Sequence, residues 1–274
     1  MKLVEAIMKN VLVLMHDDAG QEARFQAALD LTRALDGHLT CVDVSITPLF
    51  IGDYAGTGGE ALMMADEQAR EKENRERMEA RLRVEDVPYD WIDECGFLSP
   101  CMRDAATMAD LVVLNREIDG IHFPDMRELV GDVLLKSNKP IIAVPASARR
   151  FDAFGNALVA WDGSREAEAA LRAAVPLLRH AKSVTILAAD DGSLKIPAQS
   201  AAEYLSRHGI EPEIRERSAL TELASTVVLD TVKAIDAAYV VMGGFGHSRF
   251  IEAAFGGVTK RMLKESPVPI FLAH

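Results

Sequence analysis

The sequence is poor in cysteine and in positive charge, and it has no long apolar run. Three cysteines in 274 residues, Cys41, Cys95 and Cys101, are an odd number without a C-x-x-C pair. That excludes a disulfide scaffold and points to reduced thiols in a cytosolic setting. Cys41 lies in an apolar alternation and is expected in the core; Cys95 and Cys101 are read as incidental thiols rather than a redox couple. No stretch approaches the roughly 18 apolar residues of a membrane span. Glu5 and Lys9 interrupt the N-terminal apolar stretch and no small-residue cleavage site follows, so a soluble, cytoplasmic protein is expected. Glycine (18) and proline (11) are at ordinary levels and 49% of residues are apolar, which excludes collagen-like and disordered chains. A net charge of −12 argues against nucleic acid, whose binding depends on Lys and Arg displacing counterions.

The charge is unevenly placed. Residues 1–147 hold 15 Lys+Arg against 27 Asp+Glu, whereas residues 148–274 hold 15 against 15. The two halves face different partners, or only one faces an anion.

An internal repeat organises the chain. Val11-Leu-Val-Leu-Met15 and Ala157-Leu-Val-Ala-Trp161 are short apolar runs, each followed by a polar turn and then a helical pattern. Helix 21–35 carries Phe25, Ala28, Thr32 and Leu35 on one face, with Gly37 as its stop; its counterpart starts after Ser164 as N-cap, with Glu166 and Glu168 at the positive helix end. Further strands are expected at 39–44, 89–95, 111–114 and 141–144, and at 184–188, 213–217, 238–242 and 270–273. Helices 60–84, 99–109 and 128–137, then 198–208, 221–235 and 256–265, fall between them. Strict alternation with fully apolar strands implies an α/β fold: two doubly wound parallel five-stranded sheets in tandem, of the Rossmann or flavodoxin type. The domains are 1–147 and 153–274, joined across 145–155. Helix 60–84 is read as a solvated helix held by its own pairs at i,i+4: Asp66 and Arg70, Glu71 and Arg75, Glu73 and Arg77, Glu79 and Arg83. Gly52, Gly56, Gly58 and Gly59 before it are read as an excursion, not a phosphate cradle, because no Gly-Lys-Ser/Thr follows.

The most informative stretch is 240–259. A buried strand ends at Met242, Gly243 and Gly246 allow a tight loop, and Gly256 and Gly257 open a helix continuing through Val258 and Thr259. Residues without Cβ let backbone N–H groups approach phosphate oxygens, and a helix N-terminus adds unpaired donors and about half a positive charge. Trp161-Asp-Gly-Ser164 follows the first strand of the same half, and in a doubly wound sheet the first and fourth strands flank the ligand crevice. Asp162 and the glycine loop are therefore expected to face one crevice.

These residues resemble the universal stress protein family in its tandem form. The resemblance implies an adenine-nucleotide pocket holding ATP, with Mg2+ as the accompanying ion. In it Gly243, Gly246 and Gly256 stand at the phosphate-loop glycines, Asp162 at the nucleoside contact, and Met242, Val258 and Thr259 along the pocket wall. It also implies pairing through the fifth strands, between the two halves or in a homodimer. Two departures matter: Gly257 lacks the hydroxyl usual after the third glycine, leaving Thr259 or Ser248 to supply it, and Phe245 stands where the loop is usually polar.

The first half departs further. Counting back from Pro140 as from Pro269, Arg127 and Glu128 replace the glycine pair, Asn115 and Ile118 the first two glycines, and His16 replaces Asp162, with Asp17 and Asp18 behind it. This half is expected not to bind ATP. His247, Arg249, Lys260 and Arg261 are candidate phosphate contacts, and no P-loop is present. The expectation is a stress-response protein that binds ATP or another adenine nucleotide in its second half, without catalytic residues or a structural metal and with any hydrolysis slow. Its first half is structural or regulatory and its protein partner unknown. The competing reading is a nucleotide-independent module, binding a protein or small ligand, with a decayed pocket.

Overall fold

Aliphatic and β-branched runs too short for stable helices form the strands, and amphipathic segments between them form the helices that cover the strands. The computed structural model describes residues 8–46, 59–116, 126–190, 196–218, 223–245 and 257–274. The first half runs β1 (Asn10–Leu14), α1 (Gln21–Ala34), β2 (His38–Ile46), α2 (Gly59–Leu82), β3 (Tyr89–Gly96), α3 (Leu98–Ala105) with a 3-10 turn (Ala106–Met108), β4 (Leu111–Asn115), α4 (Met126–Ser137) and β5 (Ile141–Val144). The second runs β6 (Asn156–Trp161), α5 (Arg165–Leu178), β7 (Ser183–Asp190), α6 (Ala198–Arg207), β8 (Glu213–Ser218), α7 (Ala224–Ala234), β9 (Ala237–Gly243), α8 (Gly257–Glu265) and β10 (Ile270–Ala273). Each expected strand and helix is present, most within two residues of its expected bounds.

The ten strands form one sheet in the order β3-β2-β1-β4-β5-β10-β9-β6-β7-β8, so the strand order of one half mirrors that of the other. Neighbours within each half are parallel, and the two halves meet edge to edge through β5 and β10, antiparallel, with Ile142 opposite Phe271. This junction removes an exposed edge from each half. Strand residues alternate between two cores: Val11 and Val13 face α1, α2, α5 and α6, while Leu12 and Leu14 face α3, α4, α7 and α8.

Local details correct several expectations. The stop of α1 is Asp36, at φ 47°, not Gly37. The Asp36 and Gly37 amides donate to the carbonyls of Arg33 and Thr32, a Schellman closure. Gly37 is small for another reason: a Cβ there would lie 2.6 Å from the Lys9 carbonyl oxygen. Segment 145–155 is anchored rather than loose, since the Phe151 amide donates to Asp30 Oδ2 at 2.9 Å and its ring packs 5.2 Å from that of Tyr239.

Helix α2 is self-paired as expected only in part, and mostly through other partners than those expected. Of the four pairs, Glu79 and Arg83 meet at 3.5 Å, but Arg75 turns to Glu79 and Asp93, Arg77 to Asp17, Arg70 to Glu67, and Glu71 into the protein. The helix is docked by Met78 and Leu82, both buried, and its charges follow that docking. Gly52, Gly56 and Gly58 lie outside the described residues, and Gly59 opens α2. Cys41 is buried as expected, Cys101 half-buried and Cys95 exposed, all three free.

Candidate functional site

Strands β6 and β9 are parallel neighbours, and from β6 the chain proceeds to β7 on its other side, so their carboxyl ends bound a topological switch point. Asp162 ends β6 and is exposed; its Oδ1 accepts the Ser164 amide at 2.9 Å. Gly163 turns the chain at φ 70°, and Ser164 caps α5 by accepting the Ala167 amide at 3.1 Å, as expected. At the end of β9, a Cβ on Gly243 would lie 2.6 Å from the Ala167 nitrogen. The structure thus brings Gly243 against the first turn of α5, beside the Asp162 turn. Its glycine is demanded by helix–strand packing, whatever else it does.

The same strand end reaches the helix on the other face. Phe245 has φ 58°, and its amide donates to Thr259 Oγ1 at 3.4 Å. Its half-buried ring packs with the core beneath α7 and α8 rather than standing in the loop. Met242 is buried on that same face. The carboxyl end of β9 therefore lies between the first turns of α5 and α8. The first turn of α8 contains no acidic residue, unlike that of α5, which carries Glu166 and Glu168. Thr259 is buried, and its hydroxyl accepts from the Phe245 amide. Gly257 and Val258 are exposed, with open space where a Gly257 Cβ would be.

Gly246 and Gly256 lie outside the described residues, as do His247, Ser248 and Arg249. Arg261 is turned elsewhere: its guanidinium donates to Ser225 Oγ at 3.2 Å and Thr226 Oγ1 at 2.5 Å and pairs with Glu265. Lys260 is exposed.

The corresponding place in the first half is filled. Arg24 is fully buried, and its guanidinium lies between the ends of β1 and β4. Its Nε donates to the Leu14 carbonyl and Nη2 to that of His16, at 2.8 and 2.9 Å. Both Nη atoms grip the Asp18 carboxylate, at 2.9 and 2.8 Å, and Nη1 also bonds Asn115 Oδ1. Asn115 pairs across the ladder with Val144 as Gly243 pairs with Ala273, so it occupies the place of Gly243. The small residue has changed sides, because a Cβ on Gly20, ahead of α1, would collide with the Asn115 side chain.

Beside this lies a second buried polar group that sequence reasoning missed. His16 Nδ1 is 2.8 Å from Glu71 Oε1, both side chains being 4% exposed. Glu71 Oε2 accepts from Asn74 Nδ2 at 3.2 Å and the Asp17 amide at 3.3 Å. Asp43 on β2 faces Glu71; burial, then the Glu71 charge, push its carboxyl well above the usual carboxylate range. Burial acts against ionisation of Glu71 too, but His16, 2.8 Å away, outweighs it and holds Glu71 low. The one signal available earlier was a charged residue within the apolar run of β2.

Comparison with known proteins accords with this architecture. Residues 153–274 match the model of the universal stress protein family. The match is confined to the second half of the chain. The stress-protein fold also extends over the remainder. A universal stress protein from Archaeoglobus fulgidus, 15% identical, superposes with a TM-score of 0.72 over 96% of this chain and 97% of its own. A functionally unknown protein from Pseudomonas aeruginosa, 14% identical, gives 0.61 over 97% and 92%. No curated protein matched the sequence. Among the described residues, no helix is long and apolar enough to cross a membrane.

Proposed function

We propose that this is a stress-response protein whose second half binds ATP or another adenine nucleotide at the carboxyl ends of β6 and β9. The observation that carries the reading is the position of the β9 end between two helix N-termini, of which that of α8 has no acidic residue in its first turn. The first-turn amides of a helix have no partner within it, so those of Gly257, Val258 and Thr259 suit phosphoryl oxygens, with the Thr259 hydroxyl in place of the one Gly257 lacks. Asp162, exposed at the end of β6, offers a carboxylate to a ribose hydroxyl. The first half, with Arg24, Asp18 and Asn115 in the equivalent place, is structural or regulatory.

The test is thermal unfolding and calorimetry of the full chain with and without Mg-ATP. At 100 times Kd, binding stabilises the fold by about 2.7 kcal/mol. Asp162→Ala and Thr259→Val should each weaken it without unfolding the protein. A melting temperature unmoved by any adenine nucleotide, with flat calorimetry, refutes this reading in favour of a nucleotide-independent module.

A further inference from the structure

The His16 cluster in the first half has no part in nucleotide binding, yet it has features that an internal ion pair does not explain. One ligand atom from each of His16, Glu67 and Glu71 lies within 4.8 Å of the others. His16 and Glu71 are buried, and Glu67 stands at the mouth with its side chain 15% exposed. The His16 Nδ1 approaches Glu71 at 2.8 Å but off the line a hydrogen bond needs, so this buried nitrogen has no hydrogen-bond partner. Asp43, only 3% exposed and facing Glu71, has a buried Oδ1 that also has none. Two buried polar atoms without hydrogen bonds beside two further carboxylates are costly unless something fills the space between them.

We propose that His16, Glu67 and Glu71 form a binding site for a divalent transition-metal ion, with Asp43 supplying a fourth oxygen. Ligand atoms at about 2.0–2.2 Å from a tetrahedral ion stand roughly 3.3–3.6 Å apart, within the 4.8 Å span of these three, so side-chain movements alone can close the site. One imidazole with carboxylates suits Zn2+ or Mn2+ and disfavours Mg2+ and Ca2+, which prefer oxygen alone. The outer contacts are in place, since Asn74 Nδ2 and the Asp17 amide hold Glu71 Oε2 and leave Oε1 turned to His16. A cleft of about 440 Å³ between α2 and β2–β3 reaches two of the four groups, Asp43 and Glu71. Arg70, half-exposed and paired with Glu67 at 2.6 Å and Glu71 at 3.4 Å, is the cation the metal displaces.

The full-length protein, stripped with chelator, is dialysed against Zn2+ or Mg2+, and metal content and melting temperature are measured. One Zn2+ per chain, a raised melting temperature and no stoichiometric Mg2+ are expected. Glu67→Gln and Asp43→Asn should weaken Zn2+ by more than about 100-fold, beyond the usual loss for an outer contact, with the circular dichroism spectrum retained. Arg70→Gln should tighten it. His16→Gln should abolish it; should that variant not fold, the accessible Glu67→Gln decides. Absence of stoichiometric Zn2+, Zn2+ binding that survives Glu67→Gln and Asp43→Asn, or equal uptake of Mg2+ overturns the proposal. None of these outcomes bears on nucleotide binding in the other half.

Discussion

Gly243 and Gly257 belong to one glycine-rich stretch, but the structure gives them opposite reasons for being glycine, and one substitution at each separates the reasons. In Gly243→Ala the new methyl would lie 2.6 Å from both the Ala167 nitrogen and the Glu166 carbonyl carbon, against about 3.4 Å for ordinary contact. These are backbone atoms in the first turn of a helix, so the clash is relieved only by moving α5 away from β9 or by bending the end of a strand that pairs with β10. Overpacking of this kind costs about 1–3 kcal/mol. At about 2–4 °C per kcal/mol for a protein approaching this size, the melting temperature falls by several degrees. Gly257→Ala meets nothing within 4 Å and places a better helix former at the head of α8, so its effect lies between zero and about 1 kcal/mol of stabilisation. Urea unfolding of both variants, without nucleotide, provides the assay. A neutral Gly243→Ala, or a Gly257→Ala that destabilises as much, refutes the steric assignment.

Arg24→Met leaves Asp18 and Asn115 buried or nearly so without their cation and should cost about 3–5 kcal/mol by urea unfolding; a loss under about 1 kcal/mol would show that water replaces the guanidinium at little cost. Ser164→Ala removes the cap of α5 and should cost about 1 kcal/mol, whereas Ser164→Gly should cost only a few tenths. Asp30 has its carboxyl raised above 3.8, first by burial and further by Asp152, against the opposing Phe151 amide, Arg33 and Arg150. Its folded state thus holds the proton more tightly than the unfolded one. That contribution is fully present below pH 3.8 and is lost as pH rises through the raised value. Asp30→Asn keeps an oxygen for the Phe151 amide and should flatten stability against pH in that window; an unchanged slope would refute the assignment.

The order of elements was legible in the sequence because it depends on neighbours. Apolar runs of four to six residues bounded by turn signals make strands, Ser164 caps the helix that begins at the next residue, and the second-half glycines stand out by spacing alone. The acidity of the first half and its loss of glycines were equally plain. Tertiary structure decided what distant segments do to one another. It joined the halves through β5 and β10, and it made Gly243 a packing residue by laying α5 on β9. It turned Arg77, Arg75 and Glu71 of α2 to Asp17, Asp93 and His16, because docking Met78 and Leu82 turns that helix to a fixed face. The Arg24 cluster and the His16 cluster each draw on side chains from several elements. A buried charge must find its partner wherever the fold brings one, and no local periodicity records where that is.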